Sequence, residues 1–129
     1  MSDGTGEGGE RRAREPAVRA GVLSLNINAR AALYAAYMPF LQRGGLFVPT
    51  QKSYALGDEV FMLVQLMNDP ARHALSGQVV WITPHGAQGG RSEGVGIQFS
   101  GDAAGRSLRD TIEKLLAGHL GSNRPTHTL

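Results

Sequence analysis

Short stretches that alternate apolar and polar residues with a period of two recur through this chain, and they restrict it to a small sheet protein. Val22-Leu23-Ser24-Leu25-Asn26-Ile27 sets Leu23, Leu25 and Ile27 on one side, because successive side chains of a strand point to opposite faces. Gly57-Asp58 turns the chain into Glu59–Met67, where Val60, Met62, Val64 and Leu66 share one face and Phe61, Leu63 and Met67 the other. Apolar groups on both faces predict a central strand, or one covered by a helix. Asn68-Asp69-Pro70 ends it. Leu75–Thr83 sets Leu75, Val79 and Trp81 against Val80 and Ile82, and Gly94–Phe99 aligns Val95, Ile97 and Phe99. A short strand over Leu46 to Pro49 completes the set. Strands of this length and spacing predict a small antiparallel barrel or sandwich.

Helical spacing appears twice. Arg30 to Phe40 is rich in alanine, a strong helix former, and places Leu33, Tyr37 and Phe40 at i, i+4 and i+7, with Pro39 limiting the helix near its end. Roughly residues 104–119 predict an amphipathic helix with Leu108, Ile112, Leu115, Leu116 and His119 on one face. Ser107-x-x-Asp110 is a candidate capping box for it and Gly121 a candidate terminator. Residues 1–20 are mostly Gly, Glu and Arg, and such a segment cannot offset its own ordering entropy. They predict a disordered leader, and residues 121–129 (GSNRPTHTL) a flexible polar tail, leaving 21–120 as the domain.

Several function classes drop out on composition. The chain has 129 residues and no cysteine, which excludes disulfides and thiolate metal sites and fits a reducing compartment. No run of about 18 apolar residues is present and the N-terminus lacks an apolar signal core, so a soluble cytoplasmic protein is expected. The net charge is +2 and scattered: residues 1–20 hold four Arg and four acids, and residues 21–120 eight basic and seven acidic groups. Nucleic-acid binders instead gather cations on one face among stacking aromatics. His73, His85, His119 and His127 lie in separate elements without ligand spacing. Asp58 and Glu59 are the close carboxylate pair, but neighbours on a strand point apart. Gly4-x-Gly6-x-x-Gly9 follows no strand, and no Walker-type Gly-Lys-Ser/Thr occurs. The loop Gly86-Ala87-Gln88-Gly89-Gly90-Arg91 reads as a long hairpin turn, the alternative being a loop that wraps an anion. The sequence therefore predicts no enzyme, cofactor or metal site.

The richest segment runs from Tyr34 to Thr50 and holds Tyr34, Tyr37, Phe40 and Phe47, half of the chain's eight aromatics, around a Gly44-Gly45 break. Taken in order, Gly45-Leu46-Phe47-Val48, Leu56-Gly57-Asp58-Glu59-Val60, Gly77-Gln78-Val79-Val80-Trp81 and Gly94-Val95-Gly96-Ile97-Gln98-Phe99 resemble successive strands of a PilZ domain. The resemblance covers about residues 21–120. It implies a mainly β fold: a small six-stranded antiparallel β-barrel with a short helix near residues 30–40 and a C-terminal amphipathic helix. Tyr34-Ala35-Ala36-Tyr37-Met38-Pro39-Phe40, Gly86-Ala87-Gln88-Gly89 and Pro125-Thr126-His127-Thr128 are similar to the branch of the family that serves type IV pilus assembly.

Most PilZ domains bind cyclic di-GMP through an R-x-x-x-R leader and a D/N-x-S-x-x-G turn. Here the residues four after Arg11, Arg12 and Arg14 are Glu15, Pro16 and Val18. Aligning the turn's last glycine on Gly45 puts Phe40 in the acid's place and Gln42 in the serine's. Each donor thus left unpaired costs on the order of 1–3 kcal/mol, so no cyclic di-GMP binding is expected; the alternative is a receptor that uses a non-standard arginine set from the leader. The resemblance implies a non-enzymatic adaptor for pilus biogenesis and twitching motility, with the pilus assembly ATPase PilB and a FimX-type EAL-domain regulator as partners. If Leu33, Tyr37 and Phe40 turn to the barrel, Tyr34 points about 100° away and is the aromatic left for an interface. The expected partner-binding residues are Tyr34, Tyr37, Trp81, Pro125, Thr126 and His127.

Overall fold

A computed structural model describes residues 21–120 and 126–128. Five strands and two α-helices follow in the order β1 (Val22–Ile27), α1 (Arg30–Ala36), β2 (Gly45–Pro49), β3 (Glu59–Leu66), β4 (Arg72–Thr83), β5 (Gly94–Phe99) and α2 (Ala103–Leu115). The fold is mainly β, as expected, and its curled sheet is consistent with a PilZ-type barrel. Two details differ from the expected six-stranded antiparallel arrangement. The described residues form a five-stranded sheet in the order β1-β3-β4-β5-β2, and β1 pairs parallel with β3, Val22 opposite Phe61 through Ile27 opposite Leu66. A parallel pair needs a crossover of a dozen or more residues, which the stretch from α1 to the turn at Gly57 supplies.

The sheet stays open between its two edge strands, β1 and β2, and α1 packs against both. That position explains why α1 is buried on more than one stripe: Leu33, Tyr34 and Ala36 are all in the core. The helix also ends earlier than the sequence predicts. Met38 precedes Pro39, and a residue before proline is driven from the helical to the extended region. Tyr37 is already extended (φ −70°, ψ 139°) and forms a β-bridge with Leu46.

On the inner face, Val60, Met62, Val64 and Leu66 of β3 meet Leu75, Val79, Val95, Ile97 and Phe99, the alternation read from the sequence. α2 lies over β4 and β5 and buries Leu108, Ile112 and Leu116 completely. Its cap is Asp102, whose carboxylate accepts from the Gly105 N–H at 3.1 Å. The Ser107-x-x-Asp110 box is thus not the start, and the helix stops at Leu115 instead of about residue 119. An Asp side chain satisfies an orphan N–H in the first turn without help from Ser107. The expected terminator Gly121 lies outside the described residues. Among the described residues, no helix is long and apolar enough to cross a membrane.

A candidate protein-docking face

The register of β4 turns one predicted site residue away from the core. Val79 pairs with Ile97, but Trp81 pairs with Gly96, with an irregularity between them. One residue, Val80, is therefore extra on β4, as in a β-bulge, and a shift of one residue moves the following side chains to the other face. Trp81 thus leaves the inner side occupied by Leu75 and Val79 and is half-buried. Gly96 also pairs with Phe47 on β2, so the row across three strands reads Phe47, Gly96, Trp81. A Cβ on Gly96 would sit 2.7 Å from both the Sδ and Cε atoms of Met38 and 2.8 Å from the Trp81 Cβ. The absent side chain leaves a trough that Met38 fills.

A second apolar layer therefore covers the outer face of the sheet. Phe40 lies beside Trp81, ring centroids 6.1 Å apart and planes at 57°, the tilted geometry that aromatic quadrupoles favour. Phe40 is 45 % exposed. The Trp81 indole N–H donates to Thr83 Oγ1 at 2.8 Å, so the ring's polar atom is satisfied without solvent. At the other end of the row Phe47 is buried, with the His127 ring stacked on it at 5.0 Å. The His127 N–H donates to the Ala35 carbonyl at 2.9 Å. Arg91 Nη1 donates to the carbonyls of His127, at 3.2 Å, and Thr128.

The predicted site residues are thus divided. Trp81 and His127 stand at opposite ends of one outer row. Thr126 is half-buried beside His127, its hydroxyl accepting from the Thr128 N–H at 3.3 Å. These tail residues lie on the body instead of extending from it, held by the Ala35 and Arg91 contacts. Pro125 lies outside the described residues. Tyr34 and Tyr37 are 7 % and 1 % exposed, which corrects the expectation that Tyr34 keeps its ring for an interface. The aromatic ring of this segment left exposed is instead that of Phe40, which was expected in the barrel. The helical phase that would have turned it inward is lost at Tyr37. Pro39 was the available signal, since a helix that stops before it cannot carry its phase to Phe40.

The turn that bears Phe40 is fixed from two sides. The Met38 N–H donates to the Gly45 carbonyl at 2.9 Å and the Phe99 N–H to the Gly44 carbonyl at 3.0 Å. From α2, Arg109 Nη1 donates to the Gln42 carbonyl at 2.8 Å. The Tyr37 hydroxyl donates to Glu113 Oε2 at 2.6 Å, which also faces Arg109 Nε at 3.4 Å. Burial first, then the hydrogen bond to Glu113, pushes the Tyr37 phenol far above its ordinary pKa, so it remains a donor. Gly44 adopts φ +75°, and a Cβ there would lie 3.2 Å from the Tyr37 hydroxyl. Beside this turn Arg43, Ser76, Gln78, Gln98 and Ser100 line a polar cleft of about 300 Å³.

No curated protein matches the chain. The family model for the PilZ domain matches residues 11–118, in keeping with the curled sheet, the C-terminal helix and the Gly44-Gly45 turn. The chain belongs to the PilZ domain family.

Proposed function

We propose that this PilZ domain is a non-enzymatic adaptor for type IV pilus biogenesis and twitching motility. It acts in the cytoplasm through contacts with the pilus assembly ATPase PilB and a FimX-type EAL-domain regulator, and it does not itself bind cyclic di-GMP. Family membership supports a role in cyclic di-GMP signalling, as adaptor or receptor. The observation that carries the adaptor reading is the Phe40–Trp81 pair. Phe40 and Gln42 stand where receptor members of the family carry the acid and the hydroxyl of the ligand-gripping turn. In this chain that turn presents an aromatic ring to solvent beside a tryptophan, and aromatic anchors of this kind dominate protein interfaces.

Titration of purified PilB and of an EAL-domain regulator against the chain tests the reading, with cyclic di-GMP titrated separately. The adaptor reading expects saturable binding of at least one protein and none of the nucleotide. A second reading, a cyclic di-GMP receptor, draws on the polar cleft beside Arg43, with leader arginines supplying the remaining contacts. A stoichiometric nucleotide site with Kd below about 10 μM, roughly −7 kcal/mol, would favour it and overturn the adaptor reading.

A further inference from the structure

The exposed aromatic pair joins two parts of the chain that have no covalent reason to meet. Trp81 stands on β4, fixed by strand pairing and by its bond to Thr83. Phe40 stands on a turn between α1 and β2 and is exposed on its outer side. An aromatic contact of this kind contributes modestly, too little to hold a solvent-exposed turn in one conformation. Phe40 follows Pro39, which has no N–H to give. The ends of the turn are held by the Met38 N–H to the Gly45 carbonyl at 2.9 Å and the Gly44 N–H to the Leu41 carbonyl at 3.0 Å. Nearest Phe40, the Leu41 N–H reaches the Met38 carbonyl at 3.4 Å, a long bond. The Gln42 carbonyl, two residues beyond Phe40, is instead taken by the Arg109 guanidinium at 2.8 Å. The aliphatic stem of Arg109 lies against Gly44, its Cγ 3.4 Å from where a Cβ would stand. Glu113 sits one helical turn further along α2, and the Tyr37 hydroxyl anchors it at 2.6 Å. A strut therefore runs from the buried Tyr37 through Glu113 and Arg109 to the backbone of the Phe40 turn.

We infer that Arg109, backed by Glu113, is the positioning residue that holds Phe40 against Trp81, so that α2 sets the geometry of the docking face. The significance for partner binding rests on the adaptor reading above; the geometric role does not. A guanidinium suits this task because its planar fork addresses a carbonyl and a carboxylate at once. Neither Arg109 nor Glu113 is in the hydrophobic core.

Trp81 is the chain's single tryptophan, so its fluorescence reports on Phe40 directly. In Arg109→Ala, with no partner present, Trp81 emission should move to the red and acrylamide quenching should rise above the wild-type value. Arg109→Lys should restore part of both. Partner affinity should fall about 10-fold or more, the scale of one lost charged hydrogen bond. Emission and quenching identical to wild type in Arg109→Ala would overturn the inference. A purely structural role would lower Tm and leave both optical signals unchanged in the folded protein. If Arg109→Ala fails to fold, Glu113→Gln carries the same test: a smaller change in the same direction supports the strut, and unchanged quenching overturns it. A wild-type chain that binds no protein partner would remove the adaptor reading while leaving the optical result to decide the strut.

Discussion

Two halves of one aromatic run meet opposite fates. Leu33, Tyr34, Tyr37 and Met38 are buried, Leu33 and Met38 completely, whereas Phe40, two residues on, is 45 % exposed beside a half-buried Trp81. Composition does not separate them. What separates them is whether a second layer closes over each ring. α1 plugs the gap between β1 and β2, and both its stripes are covered. The Tyr37 hydroxyl, which would be costly to bury alone, has Glu113 as its acceptor. Phe40 lies beyond the helix end, on the outer face, where Trp81 is its single aromatic partner among the described residues. A protein that leaves a paired phenylalanine and tryptophan on its surface forgoes burial worth about 25 cal/mol per Å², which is reasonable where a partner supplies the missing layer.

The sharpest way to break this contrast is Tyr37→Ala. The inner half should behave as core and lose about 3–5 kcal/mol of stability, lowering Tm by more than about 12 °C for a domain of this size. A fall of only a few degrees would mean that the two halves do not differ in the way described. Gly44→Ala, at the junction of the halves, should come next. Its φ of +75° is strained for any residue with a Cβ, a cost of about 1–3 kcal/mol, and the added methyl meets the Tyr37 hydroxyl. Thermal melting that left this variant at the wild-type Tm would remove the close approach from the argument.

Tyr37→Phe is a gentler probe and should cost about 1 kcal/mol, one hydrogen bond to a carboxylate that solvent can partly serve. It also carries a pH signature. The folded phenol is held above its ordinary value by burial and by Glu113. Its contribution is therefore fully present below the unfolded pKa of about 10 and is lost as pH rises through the range between the unfolded and folded values. Wild-type stability should fall with rising pH above about 10 by more than that of Tyr37→Phe. Parallel pH curves for the two proteins would show that the phenol does not ionise on unfolding as argued.

Much of the sheet was legible because it follows a local rule. Val60, Met62, Val64 and Leu66 face inward as period-two alternation requires, and Gly94–Phe99 has the bounds read from the sequence. The docking face was legible only in part. Trp81 lies on the proposed face, but the bulge at Val80 that turns it outward has no residue signature of its own. Tyr34 is buried because β1 and β2 both flank α1, a tertiary fact that helix geometry cannot supply. The parallel pairing of β1 with β3 is likewise set by the connection's path and not by the residues of β1. Phe40 could have been placed outside from Pro39 alone. The His127 stack on Phe47 brings together residues eighty positions apart, which no periodicity foretells.

The most direct test of the central claim is a calorimetric titration of PilB, and separately of an EAL-domain regulator, into wild-type protein and Phe40→Ala, with Tm measured on the same samples. An exposed anchor should lose about 2 kcal/mol or more of binding on truncation, roughly 30-fold in Kd, while Tm moves by no more than a few degrees. Equal affinity of wild type and Phe40→Ala for both partners would contradict the account, because the exposed half of the aromatic run would then have no docking role.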